Sequence, residues 1–370
     1  PWTYLGRSPL DNVTLANGIY RWKIEKQGFH THDCVTGRSL SVRLCPIGLG
    51  GEMAWIEGWR AELHQDSYAD VTAVEVPAFW IDKYEVTNKQ FKEFVDSGGY
   101  NNKEYWKHEF VKEGRILTWD EATAEFVDQT DISGPASWQA GDYPEGQEEY
   151  PVSGISWYEA AAYAEFAGKS LPTGHHWGIA RGEYTPMIIW YQFGGNALFV
   201  PFSNFQGKGP DPAGSNLGVT AYGAFDMAGN VKEWCWNETP KGRLIRGGAW
   251  NDNAYMFGNM SQAFPFDRSP KNGFRCALYP NPDEIPEAAL GLMAWGETKD
   301  FYEEKPVPDS IFKVYKNQFA YDKTDLNTQV EWKDENHDDW IQEQISFDAA
   351  YGGERMIAVL FLPKNAAPPY

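Results

Sequence analysis

Three sets of residues have the types and spacing to do chemistry. The first is sulfur: Cys34, Cys45, Cys235 and Cys276 are scattered through the chain and form no CxxC pair. Four such cysteines are too few for a disulfide scaffold and lack the spacing of a thiolate metal knuckle. The second is oxygen. In FDMAGNVKEW, Asp226 and Glu233 offer carboxylates, and the backbones of Gly229 and Val231 can present carbonyls. That mixture suits Ca2+, a hard cation that accepts about six to eight oxygens in a flexible geometry. A second reading of the same residues has Asp226 capping a turn, Asn230 in the left-handed region beside Gly229, and Glu233 in a surface ion pair. The third set mixes aromatics and amides: Trp250, Asn251, Asp252, Asn253, Tyr255, Phe257, Asn259, Gln262 and Phe264. Tyr and Phe give contact area at low entropy cost and Asn adapts its hydrogen bonds, so this segment reads as a ligand surface. The competing reading is that these aromatics fill a core. The seven histidines form no H-x3-H pair. Adjacent His175 and His176, in SLPTGHHWGIA, point in different directions on any regular element. They read as loop or partly exposed residues rather than as metal ligands.

The elements that must position these groups follow from composition and pattern. Of 370 residues, 32 are Lys or Arg and 52 are Asp or Glu, giving a net charge of -20. Such a chain repels phosphate, so nucleic acid and direct membrane contact are excluded as partners. With 17 Trp, 20 Tyr and 21 Phe it is too hydrophobic for disorder, and 36 Gly and 23 Pro predict many turns and loops. No apolar run approaches the ~18 residues of a membrane span. The start, PWTYLGRSPLDN, lacks the basic and apolar regions of a signal peptide. The chain therefore reads as soluble. It begins without Met and ends in PKNAAPPY, as a piece of a longer polypeptide would, which leaves an extracytoplasmic bacterial location open.

Residues 1–48 read as a small β-module with strands at Ile19–Ile24 and Ser39–Leu44. Residues 49–280 mix short strands, loops and two helices. One runs from Asn88 to Ser97 after Thr87 as cap. The other runs from Ser156 to Gly168, with Glu159 completing a capping box. Residues 281–335 read as an acidic connector. Residues 336–370 hold QISFDAA and MIAVLFLP around Tyr351-Gly352-Gly353, a hairpin whose second strand is apolar enough for burial on both faces.

Five strings occur in order in the middle region: PAFWIDKYEVTNKQFKEFV (77–95), PVSGISWYEAAAYAEFAGKSLPT (151–173), AYGAFDMAGNVKEW (221–234), RLIRGGAW (243–250) and NGFRCAL (272–278). Together they resemble the formylglycine-generating enzyme (sulfatase-modifying factor) family. The resemblance implies an α+β, loop-rich variant of the C-type lectin fold. It also implies that Asp226, Gly229, Val231 and Glu233 match one of the family's two structural calcium sites. Asn204 and the Phe205 carbonyl would serve the second, although Gly207–Gly214 is too short for the acidic partner loop. The family's oxygenase chemistry resembles copper-thiolate chemistry, using two cysteines between the RGG and GFRC strands. That segment here, NDNAYMFGNMSQAFPFDRSPK, has none, and a gapless count from Gly247 puts Phe257 and Gln262 at the two positions. Soft thiolates are what Cu(I) selects, so no copper is expected. The related sulfoxide synthases of ergothioneine synthesis take iron ligands from a separate helical domain, which is absent from this sequence. In lectin-fold variable proteins of diversity-generating retroelements, the segment equivalent to 251–266 resembles a ligand surface.

The flanks resemble a PEGA-type module before this domain and the entry strands of an α/β-hydrolase after it, an arrangement similar to large bacterial proteins that also carry a kinase. No Gly-x-Ser-x-Gly elbow occurs in these residues. The resulting expectation is a non-catalytic recognition module whose partner is an unidentified ligand or an adjoining hydrolase domain. Two alternatives stand beside it: the accessory front of an esterase or peptidase with its nucleophile beyond residue 370, and an active metal-dependent oxygenase.

Overall fold

Both expected helices begin at their capping residues. Asn88–Asp96 follows Thr87, whose hydroxyl accepts from the Gln90 amide while the Gln90 side chain accepts from the Thr87 amide. Trp157–Phe166 follows Ser156, with the reciprocal bonds made by Glu159. Each box satisfies two of the amides that a helix start leaves without partners. Gly168, at φ 67°, turns the chain out of the second helix. The computed structural model describes residues 2–10, 13–16, 18, 20–36, 41–49, 51–61, 74–182, 202–205, 207–258, 260–293, 305–320, 324–350 and 352–366. Pro1–Glu297 make one compact unit and Thr298–Tyr370 a second.

The first unit is a mixed α+β structure. Its largest sheet has four strands in the order Ser261–Ala263, Gly242–Arg246, Lys232–Thr239, Asn272–Gly273. The last of these runs parallel to its neighbour, and the other pairings are antiparallel. A second sheet has the order Ala277–Leu278, Phe79–Asp82, Met53–Ile56. Long stretches between the strands are turns, so aromatics do the packing that regular elements do elsewhere. Phe91 stacks on Tyr163 at 5.5 Å and meets Trp138 and Phe274 edge-on at 6.2 and 6.3 Å. Trp138, Trp157, Trp177 and Trp234 are all fully buried, and such rings bury large areas in favoured edge or offset geometry.

The N-terminal strands differ from expectation. Tyr20–Ile24 pairs with His32–Thr36, while described residues 41–44 are not in a strand; Ser39 and Leu40 lie outside the described residues. Gly28, at φ 82°, allows the chain to reverse immediately after the first strand, and His32 and Cys34 alternate inward on the second. This hairpin is tied to the larger domain: the Val35 amide donates to the Thr220 carbonyl, and Lys83 Nζ donates to the Thr31 carbonyl at 2.8 Å.

In the second unit, Trp340–Asp348 pairs with Arg355–Pro363 as the expected hairpin; Tyr351 lies outside the described residues. Gln329–Asp334, placed by sequence in the connector, is the third strand of that sheet, and a helix occupies Asp309–Gln318. The expectation that the last strand is buried on both faces is overturned. Ile357, Val359 and Phe361 are exposed, because three strands alone provide no layer to cover them. Among the described residues no helix is long and apolar enough to cross a membrane.

One carboxylate anchors much of the first unit. Glu159 is fully buried and, besides capping its helix, accepts two bonds from Arg268 at 2.9 Å and one from the Tyr100 hydroxyl at 2.6 Å. Arg268 also donates to the carbonyls of Glu125 and Val127. Removing one partner of such a pair leaves the other charge uncompensated. Glu159→Ala should therefore lose roughly 3–5 kcal/mol of unfolding free energy in a denaturant titration. A loss below about 1 kcal/mol, the size of a surface pair, would contradict this role.

Candidate functional site

The loop carrying Asp226 is held by backbone that few residues can adopt. Asp226, Gly229 and Asn230 sit at φ 55°, 83° and 62°. A Cβ on Gly229 would lie 2.5 Å from the Asn204 carbonyl oxygen, so only glycine fits there. Asn230 is fully buried in the left-handed region, as one sequence reading had it. Its amide donates to the Asn204 carbonyl, its Nδ2 to Glu85 Oε1 at 3.1 Å, and its Oδ1 accepts from the Asp211 amide at 2.8 Å. The Asn204 side chain donates to the Gly209 carbonyl and to Asn230 Oδ1. The residues expected at two separate sites are thus tied into one knot, with Phe205 and Val231 buried beside it.

Glu233 is not in a surface pair. It is fully buried on Lys232–Thr239 and accepts from Arg275 Nε at 2.6 Å, Arg275 Nη2 at 2.7 Å and the Trp177 indole at 2.7 Å. Of the roughly four acceptor positions on a carboxylate, three are filled, leaving one on Oε1. Arg275 spends its other donors on the carbonyls of Asp82, Lys83 and Phe225. Burial works against its charge, but Glu233, then Glu85 and Asp226, hold the guanidinium above its ordinary pKa.

Asp226 is the freer acid. Its Oδ2 accepts from the Gly214 amide at 2.6 Å, while its buried Oδ1 has no partner among the described residues. Burial, only partly offset by the Gly214 amide, Arg275 and the nearby Asn216 side chain, pushes it up to about 6. Glu85 is in the same condition: 1% exposed, with Oε2 unpartnered. It is raised well above the carboxylate range by burial and then by Asp226. Sequence reasoning missed Glu85. It was not marked by alternation, because the strand before it, Phe79–Asp82, is buried at every position. Among the described residues no three His, Cys, Asp or Glu side chains converge as a metal-holding group. A cation here would need carbonyl oxygens beside the carboxylates, as calcium chemistry allows.

The aromatic and amide segment divides. Asn251, Asn253 and Phe264 are exposed, Phe264 at 73%. Trp250 and Gln262 are half-buried, and Trp250 Nε1 and Gln262 Oε1 have no partner among the described residues. Asp252 is a loop anchor, accepting from Lys271, Lys232 and the Ala249 amide. Asn259 and the side chains of Tyr255 and Phe257 lie outside the described residues. Gln262 sits in an edge strand opposite Leu244.

The thiols are interior, and so are His175 and His176. All four cysteines are buried and none forms a disulfide. Burial pushes Cys34 up to about 12 and raises Cys45 and Cys276 as well. His175 and His176 are buried on the helix Gly174–Arg181, not in a loop, because Thr173 caps that helix through its hydroxyl. His176 meets Phe79 and Tyr279 edge-on at 4.6 and 4.7 Å, and its Nδ1 is 2.6 Å from Thr173 Oγ1.

Fold and site together define a loop-rich α+β domain, pinned by aromatics and two buried Arg–Glu pairs, with all its thiols buried. Residues 48–279 match the family described as the sulfatase-modifying factor enzyme 1-like domain, and the chain belongs to that family. It is 30% identical to the formylglycine-generating enzyme of Mus musculus, over 61% of this chain and 72% of that one. It is 29% identical to the inactive C-alpha-formylglycine-generating enzyme 2 of Bos taurus, over 64% and 92%. A third relative is the serine/threonine-protein kinase pkn1 of Chlamydia caviae, 28% identical over 63% of this chain but only 38% of the kinase. Among solved structures, Treponema denticola variable protein 1 aligns with a TM-score of 0.42 and 18% identity, over 71% of this chain and 99% of that one.

His176 yields a pH test. Burial, then His175, lowers it to about 3, so the folded chain resists a proton that the unfolded chain accepts near 6.5. Its contribution to stability is present above about pH 6.5 and is lost as pH falls from there toward 3, by at most ~1.4 kcal/mol per unit. His108, lowered to about 4, titrates in both proteins of a comparison. Wild type should therefore lose more unfolding free energy than His176→Gln between pH 7 and pH 5. Parallel losses would contradict the buried neutral imidazole.

Proposed function

We propose that this chain is a non-catalytic recognition module on the formylglycine-generating-enzyme scaffold, stabilised by one Ca2+. The observation that carries the reading is the placement of its thiols. The segment 251–271 contains none, and Cys34, Cys45, Cys235 and Cys276 are all buried. The thiolate is the metal ligand and nucleophile, and burial disfavours it. The similarity to a relative named as inactive points the same way. The recognition face is narrower than the sequence alone implied: exposed Asn251, Asn253 and Phe264 beside the half-buried Trp250 and Gln262. Unpartnered polar atoms on those last two are a reason for a polar ligand to bind, since it would satisfy groups that the fold leaves unmade.

Asp226, with the Gly229 and Val231 carbonyls and the open position on Glu233, fits a calcium ion, and its unpartnered buried oxygen supports the assignment. A bound ion would supply positive charge to an acid-rich interior. Asp226 would bind it directly, while Arg275 keeps Glu233 in place. Only one calcium is proposed, because residues 207–214 are too short to supply an acidic partner loop for Asn204 and Phe205.

A second reading, the accessory front of a hydrolase, draws on the exposed Ile357, Val359 and Phe361 of the last strand, an apolar row of the kind that a neighbouring layer covers. The first reading is tested by incubating the purified chain with Cu(I), oxygen and a cysteine peptide of sulfatase type, and following the peptide by mass spectrometry. The cysteine should remain a thiol. Its conversion to an aldehyde would overturn the non-catalytic assignment.

A further inference from the structure

Two lysines meet at the recognition face of a chain whose net charge is -20. The sheet brings them together: Asn272–Gly273 runs parallel to Lys232–Thr239, and the Lys232 amide donates to the Lys271 carbonyl at 2.7 Å. Their ammoniums converge on one carboxylate. Lys271 Nζ donates to Asp252 Oδ1 at 2.9 Å, and Lys232 Nζ lies 3.0 Å from Asp252 Oδ2. Asp252 is itself fixed, since its Oδ2 accepts from the Ala249 amide and its own amide donates to the Ala249 carbonyl. Burial works against its charge, but Lys271 and then Lys232 hold its carboxyl below the ordinary range. Asp252 is the one acid that pairs with either ammonium among the described residues, so one positive charge is left over. Each ammonium has three donors, spends one on Asp252 and keeps others to give. Both side chains reach solvent, at 21% and 30% exposure. Beside them on the loop are the exposed Asn251 and the Trp250 indole, whose Nε1 has no partner among the described residues.

We propose that Lys232 and Lys271 bind a carboxylate of an acidic peptide, with Asp252 holding the two ammoniums in place for it. This rests on the recognition reading and names the ligand class that the face takes. Hydrogen bonds from an ammonium to a carboxylate are about twice as strong as neutral ones, so this pair is the strongest donor set on the face. One surplus positive charge matches a monoanion. A dianion such as phosphate would exceed it and would be repelled more by the acidic chain. Exposed charges beyond about 8 Å are largely screened at physiological salt, so at contact the two ammoniums outweigh the net charge. Asp252 makes the bonds that an incoming carboxylate would make, which renders it both a positioning residue and a competitor.

Titrating the full chain with the blocked peptide acetyl-Gly-Glu-Gly-amide, its Gln counterpart and inorganic phosphate, followed by NMR, tests the assignment. The Glu peptide should bind, with affinity falling as salt rises, and should move the signals of Lys232 and Lys271; the Gln peptide should not. Lys232→Gln and Lys271→Gln should each weaken binding roughly tenfold, and Lys271→Arg should largely restore it. Asp252→Asn, which frees the ammoniums while keeping the shape, should tighten binding roughly tenfold. A merely structural cluster would instead lower the melting temperature of all these variants without any such gain in affinity. Equal binding of the Glu and Gln peptides would leave the recognition face standing and overturn the carboxylate assignment. Tighter binding of phosphate than of the Glu peptide would overturn it too. If neither peptide binds, the assignment falls, while the non-catalytic reading is still decided by the cysteine peptide.

Discussion

The loops of this domain depend on the pair between Arg275 and Glu233. One guanidinium reaches the carboxylate on the strand Lys232–Thr239, the carbonyls of Asp82 and Lys83 at the end of the strand Phe79–Asp82, and the Phe225 carbonyl before Asp226. It thereby fixes the segments around residues 82, 225–233 and 275 to one point. A fully buried ion pair is a weak source of net stability, since desolvation offsets the attraction. Its value here is geometric. Five donors in a rigid fork satisfy carbonyls that turns leave unpaired, which a hydrophobic replacement would abandon.

Around that point the packing is aromatic rather than strand-based. Trp177 links the two systems by donating its indole hydrogen to Glu233 while packing in the second aromatic and aliphatic cluster. Arg268 and Glu159 repeat the same device in the first turn of the helix Trp157–Phe166. Two buried Arg–Glu pairs therefore do in a loop-rich domain what long sheets do elsewhere: they give backbone polar groups defined partners in the interior. The same economy leaves Glu85 and Asp226 overcharged, so the scaffold and the candidate cation site arise from one distribution of acids.

Elements with local signals were legible in the sequence. Thr87 with Gln90 and Ser156 with Glu159 marked helix starts because capping is a short-range interaction. The hairpin around Gly352-Gly353 was legible for the same reason, and ordered motifs located the family domain. What failed needed tertiary information. His175 and His176 looked like loop residues because nothing local shows that Phe79 and Tyr279 close over the ring of His176. Glu233 read as a cation ligand or, in the alternative, as half of a surface ion pair, because its partner, Arg275, comes from the distant segment between the strands Asn272–Gly273 and Ala277–Leu278. Ile357, Val359 and Phe361 looked buried because an apolar run reports a preference for burial, not the presence of a layer to satisfy it. Glu85 was hidden inside a string valued only for its resemblance.

The central claim is that this scaffold keeps hard-cation chemistry and has given up thiolate chemistry. Elemental analysis of the purified chain, equilibrated with both Ca2+ and Cu(I) and then freed of loose ions, tests it most directly. The account predicts one calcium per chain and no retained copper. Stoichiometric copper with no calcium would contradict it.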